Sequence, residues 1–142
     1  MLLVDVNVLV YAHRRESREH LRFRNWLEGV VNSDAPYGMS PQVLSGFLRL
    51  VTNPKILVPP TPLEEALAFV ETIRNRPNCV LLSPGPRHWD IFTDLCRKTG
   101  AKGNLLADAY LAALAIETGS EWITTDRDFA RFPGLQWRHP LD

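Results

Sequence analysis

Met1-Leu2-Leu3-Val4-Asp5-Val6-Asn7-Val8-Leu9-Val10-Tyr11 opens the chain, and its reading decides the fold. Residues 1–6 are an apolar run with β-branched valines, bounded by Asp and Asn, and read as a buried strand. Asp5 breaks the run too early for a secretion signal. Asn7 is placed to cap a short helix through Val8, Leu9, Val10 and Tyr11.

Helices and short strands alternate outward from this start. Residues 17–31 carry Leu21, Trp26, Leu27 and Val30 at helical spacing, with Arg and Glu between them. Residues 35–39 are a brief extended piece. Ser40-Pro41 supplies an N-cap and a proline at the first helical position, so a helix is expected from Pro41 to Val51, ended by Asn53-Pro54. Thr61-Pro62-Leu63-Glu64 reads as a capping box for a helix reaching Asn75. A strand over 79–82 follows, then a helix from Pro86 to Lys98 with Gly100 as its C-terminal cap. The helix 105–118 is closed by Gly119, residues 122–125 form a strand, and 136–138 form an edge strand. With no repeat or linker, this order indicates a single α/β domain over 1–142, three-layered around a mainly parallel sheet.

Composition agrees with that class. A chain of 142 residues that is 45% hydrophobic and 23% charged has the make-up of one soluble domain. No apolar run approaches the ~20 residues needed to span a bilayer, and a cytoplasmic location is expected. Cys79 and Cys96 form no metal-ligand pattern and are expected to be buried and reduced. The formal net charge is +0, from 16 basic and 16 acidic residues. Four carboxylates gathered at one site would leave 12 acidic residues against the 16 basic ones elsewhere, an excess that suits an anionic polymer.

The chemistry rests on scattered aspartates. Asp5 and Asp126 both stand directly after apolar strands, and parallel sheets bind ligands outside the carboxyl ends of their strands. Either alone reads equally as a cap for the next turn. Asp108 is different, because it is the only charge before Glu117 in Leu105-Leu106-Ala107-Asp108-Ala109-Tyr110-Leu111-Ala112-Ala113-Leu114-Ala115-Ile116. That helix is apolar nearly all round and is expected to be buried. A buried carboxylate must neutralise, pair or bind a metal, and no basic residue lies one turn away. An arginine from elsewhere is one partner; a metal shared with Asp5 and Asp126 is the other. Asp128, two residues beyond Asp126, is a further member. An all-oxygen set favours Mg²⁺ or Mn²⁺. Such a site suits phosphodiester hydrolysis, with Asn7, Ser45, Thr124 and Thr125 orienting the carboxylates.

Four segments in order resemble the PIN domain, and within it the ribonuclease toxins of the VapC type. They are Leu3-Val4-Asp5-Val6-Asn7-Val8-Leu9, Ser40-Pro41-Gln42-Val43-Leu44 with Phe47-Leu48-Arg49, Asn104 to Ala113, and Thr124-Thr125-Asp126-Arg127-Asp128-Phe129. The resemblance covers essentially the whole chain. It implies a Mg²⁺- or Mn²⁺-dependent endoribonuclease acting on tRNA or rRNA, a homodimer, and a cognate antitoxin partner. Asp5, Asp108 and Asp126 match the family's acidic positions and Asp128 an accessory one. One departure stands out: Gly46 occupies a position where many members carry Glu. A module that binds RNA or antitoxin without cleaving is the alternative that Gly46 supports. A receiver-like domain is disfavoured, because Asp5-Val6-Asn7 lacks a second carboxylate two residues on.

Other features read as follows. His88 and Asp94 are six residues apart and lie on different helical faces, so His88, Asp90 and Asp94 are expected on a solvated surface. His13, Arg14 and Arg15 either meet an RNA phosphate or serve the fold. The four tryptophans are expected in the core or at a dimer contact.

Overall fold

Leu2–Val4 forms β1, the central strand of a five-stranded, wholly parallel sheet in a computed structural model that describes residues 1–142. The other strands are β2 (Tyr37–Met39), β3 (Cys79–Leu81), β4 (Glu121–Ile123) and β5 (Trp137–Arg138), in the order β3-β2-β1-β4-β5. Leu2, Leu3 and Val4 pair with Glu121, Trp122 and Ile123. Leu3, Val4, Met39, Trp122 and Ile123 are fully buried. That is the burial expected of a parallel sheet covered by helices on both faces.

The helices are α1 (Val6–His13), α2 (His20–Val31), α3 (Pro41–Val51), α4 (Leu63–Arg74), α5 (His88–Thr99) and α6 (Asn104–Thr118). Right-handed crossovers from β1 to β2 and β3 carry α1–α4 over one face, and the return to β4 carries α5 and α6 over the other. The packing agrees: α1 meets α2 and α3, α3 meets α4, and α5 meets α6. The chain therefore turns from one side of the sheet to the other between β1 and β4, and the carboxyl ends of those two strands form the switch point where such sheets bind ligands. No helix is long and apolar enough to cross a membrane.

Several expectations need correction. α1 starts at Val6, and Asp5 rather than Asn7 is its N-cap, accepting from the Val6 amide. Thr61 caps nothing in α4. Its amide donates to the Val51 carbonyl at the end of α3, and its hydroxyl bonds His13 and Arg14. The helix 17–31 begins only at His20, after Glu19 in a left-handed conformation. The cysteines are free but only half-buried. α6 is buried along its second half, whereas Leu106 and Ala107 in its first turns are exposed. An apolar composition does not need burial on every side when alanine and leucine are good helix formers. His88 is buried, its Nε2 bonded to the Tyr110 carbonyl, because it packs between α5 and α6 against Phe92 and Tyr110. Asp90 and Asp94 remain exposed. Among the tryptophans only Trp122 is fully in the core, and Trp89 is 64% exposed.

Candidate active site

The sheet's switch point is built by hydrogen bonds between the ends of β1 and β4. The Asp5 amide donates to the Ile123 carbonyl at 2.9 Å, extending the ladder by one residue. The Asp5 side chain is 6% exposed and its two oxygens have separate tasks. Oδ1 accepts from the Val6 amide at 2.7 Å, fixing the start of α1. Oδ2 accepts from the Thr124 hydroxyl at 2.8 Å and from the Asn7 amide nitrogen at 3.1 Å.

Asn7 and Thr124 complete a closed network. Asn7 Nδ2 also reaches the Thr124 hydroxyl at 3.2 Å, and Asn7 Oδ1 accepts from the Thr125 backbone amide at 3.0 Å. The Thr124 hydroxyl in turn accepts from the Asp126 amide at 3.1 Å. Thr124 is fully buried. Asn7 and Thr124 thus bind the first carboxylate to the backbone that carries the third. Thr125 takes part through its amide, not its hydroxyl. Ser45 is exposed on α3 and makes no bond to these groups, so sequence placed it in the network wrongly.

Asp126 caps a 3₁₀ turn, Arg127–Arg131, by accepting from the Asp128 amide at 2.9 Å. Asp126 is half-buried and Asp128 exposed. The turn is anchored by Phe129 and, just beyond it, Phe132, both buried in the core. Asp108 faces this segment from α6, half-buried.

Electrostatics join the four carboxylates into one field. Burial pushes the Asp5 carboxyl up to about 6, the Thr124 and Val6 bonds pull it back, and the charges of Asp108 and Asp126 raise it further. Asp108 is also raised, first by burial, then by Asp126 and Asp128, with Arg131 opposing. No basic side chain is within ion-pair distance of any of the four. A half-buried acidic group without a partner cation is costly, and carboxylate, amide and hydroxyl oxygens are the donors that Mg²⁺ and Mn²⁺ accept. The residues present therefore fit such an ion. No three acidic side chains are drawn together into a ready-made cage, so ligation would require them to close in.

His13 and Arg14 belong to the fold rather than to this crevice. His13 packs on Phe47 and Phe69, burial lowers its pKa, and Arg14 is buried against Thr61 and Glu16. Arg15 alone of the three is exposed. Sequence reasoning missed Arg131, which is the only cation acting on Asp108. Its position three residues after Asp128 was the available signal, since residues three apart eclipse in a 3₁₀ turn.

Comparison with known proteins places this geometry. Residues 2–135 match the PIN domain family. The whole chain is 49% identical to ribonuclease VapC43 of Mycobacterium tuberculosis and covers 97% of that protein. VapBC2 from Rickettsia felis, solved bound to a promoter DNA fragment, shares the fold with a TM-score of 0.71 at 18% identity, over 97% of each chain. The sarcin–ricin loop cleaving toxin VapC20 of M. tuberculosis does so at 0.66 and 15% identity, over 96% of this chain and 99% of its own. A parallel sheet with acidic side chains at its switch point, a family match over nearly the full length and 49% identity to VapC43 together make this chain a member of the PIN domain family, in its VapC ribonuclease toxin branch.

Proposed function

We propose that this chain is the toxin of a toxin–antitoxin pair and a Mg²⁺- or Mn²⁺-dependent endoribonuclease. The observation that carries this reading is the buried Asp5 carboxyl at the β1/β4 switch point, facing Asp108 and Asp126 with no cation paired to any of them. Asp5, Asp108 and Asp126 would hold the ion. When bound, it lowers the pKa of a coordinated water and offsets charge building on the scissile phosphate.

The chain's own residues do the rest. Asn7 and Thr124 hold the Asp5 oxygens in one orientation, which keeps a ligand from rotating away. Thr125 locks Asn7 through its backbone amide. Asp128, exposed and tied by its own amide to Asp126, is free to take a proton from the attacking water. The substrate class in this reading is a tRNA or rRNA, and the sarcin–ricin loop cleaved by VapC20, a protein of the same fold, supports an rRNA target. The partner follows likewise, a cognate antitoxin as in the VapBC complexes. A homodimer and a cytoplasmic location complete the proposal.

Gly46 favours the rival reading of a module that binds RNA or antitoxin without cleaving, since glycine supplies no ligand. The two separate on one assay. Total tRNA and a sarcin–ricin stem-loop RNA are incubated with the chain in Mn²⁺, in Mg²⁺ and in EDTA. Cleavage that needs the metal and drops at least about 100-fold in Asp5→Ala and Asp108→Ala supports the nuclease. Binding without metal-dependent cleavage supports the rival.

A further inference from the structure

Arg131 ends the 3₁₀ turn that Asp126 begins. In such a turn residues three apart eclipse, so Phe129 aligns with Phe132 and Asp128 with Arg131. Phe129 and Phe132 are 2% and 3% exposed and hold one edge of the segment in the core. The other edge, with Asp128 and Arg131, is exposed, and the charges of both act on Asp108.

Three arginines lie in this part of the chain, and two are occupied. Arg127 pairs with Asp142 at 3.3 Å, and Arg138 with Glu121 at 3.3 Å. Arg131 has no carboxylate within ion-pair distance, although Asp108 and Asp128 are its neighbours. An arginine that serves only to neutralise a carboxylate closes onto it as a two-pronged pair. Arg131 stays open, with its five donors available at the rim of an acidic crevice.

We propose that Arg131 is a positioning residue that grips a phosphate of the RNA strand beside the scissile bond, steering an anionic polymer into an otherwise anion-repelling pocket. This rests on the nuclease reading above. The pocket's negative charge is needed for a metal but opposes RNA approach. A guanidinium carried on the same turn as Asp128, which Asp126 caps, offsets that opposition beside the site.

The test uses the full chain, with Arg131→Ala and Arg131→Lys. Binding of a fluorescein-labelled sarcin–ricin stem-loop RNA is followed by anisotropy across a salt series in EDTA, and cleavage of the same RNA is followed in Mn²⁺. Arg131→Ala is expected to weaken RNA binding and raise KM about tenfold, with kcat within about twofold. Its log–log salt slope should fall by about 0.7, one phosphate contact on a single strand. Arg131→Lys should keep that slope and recover part of the affinity. Mn²⁺ affinity, measured by calorimetry, should be equal or tighter in Arg131→Ala, because a positive charge near Asp108 has gone. Unchanged KM and salt slope in a folded Arg131→Ala protein overturn the proposal while leaving the nuclease reading intact. If the wild type binds this RNA but cuts neither it nor total tRNA in Mn²⁺ or Mg²⁺, the nuclease reading fails and the slope still decides Arg131. If it binds no RNA, both fall.

Discussion

Asp5 and Thr124 lie 119 residues apart in sequence and 2.8 Å apart in the fold, joined by a buried hydrogen bond across the two central strands. The same hydroxyl accepts from Asn7 and from the Asp126 amide, so three elements of the site meet on one oxygen.

Removing that oxygen tests its weight. Thr124→Val keeps the shape but leaves the Asn7 and Asp126 donors and an Asp5 acceptor short of partners. The expected loss is about 2–3 kcal/mol, read from urea unfolding, against under about 1 kcal/mol for Thr124→Ser. Equal stability of the Val and Ser variants would show that the hydroxyl is not a structural joint.

The protonation of Asp5 sets a pH dependence of definite sign. Its carboxyl is displaced from an ordinary 3.8 to about 6. The folded state therefore holds the proton more tightly than the unfolded chain. Below about pH 4 the group is neutral in both states and exerts no penalty. As pH rises from there to about 6, the unfolded chain ionises first and stability falls, by up to about 3 kcal/mol. In chelator-treated protein, unfolding free energy measured from pH 4 to 7 should decline less steeply for Asp5→Asn than for the wild type. Saturating Mn²⁺ should reverse the decline for the wild type alone, because an ion that binds only the folded state stabilises it. Parallel pH curves for both proteins would rule this out.

Gly46 offers a third experiment. A Cβ there would stand 3.3 Å from the Val6 Cγ2, immediately beside the residue that follows Asp5. Gly46→Ala should be nearly neutral, since a helix-propensity gain of about 1 kcal/mol is offset by crowding against Val6. Gly46→Glu brings a fifth carboxylate to the site. It should tighten Mn²⁺ binding about tenfold by calorimetry, worth about 1.4 kcal/mol. No change in affinity would remove this position from the ligand set.

The sheet and the order of its elements were legible in the sequence for local reasons. Apolar runs ending in Asp5 and Asp126, Ser40-Pro41 before α3, and Gly100 and Gly119 after α5 and α6 are signals a few residues long. The α1 cap and the start of α2 were missed by a few residues, and the larger errors were non-local. Nothing near Thr61 tells that its hydroxyl will be claimed by His13 and Arg14 instead of α4. His88 looked like a surface group until Tyr110, 22 residues away, supplied its acceptor. Asp108 was understood as buried because its helix is apolar, yet only the second half of that helix lies inside, and its neighbours Asp126, Asp128 and Arg131 come from another part of the chain. Ser45 failed for the same reason in reverse: helix position alone does not say which face meets the crevice.

The bond between Asp5 and Thr124 also dictates when the crevice can exist. Asp5 is synthesised 119 residues before the Thr124 hydroxyl that clamps it. Contacts so distant along the chain form late. A polypeptide not yet extended to Thr124 therefore carries Asp5 without its hydroxyl clamp or the carboxylate of Asp126.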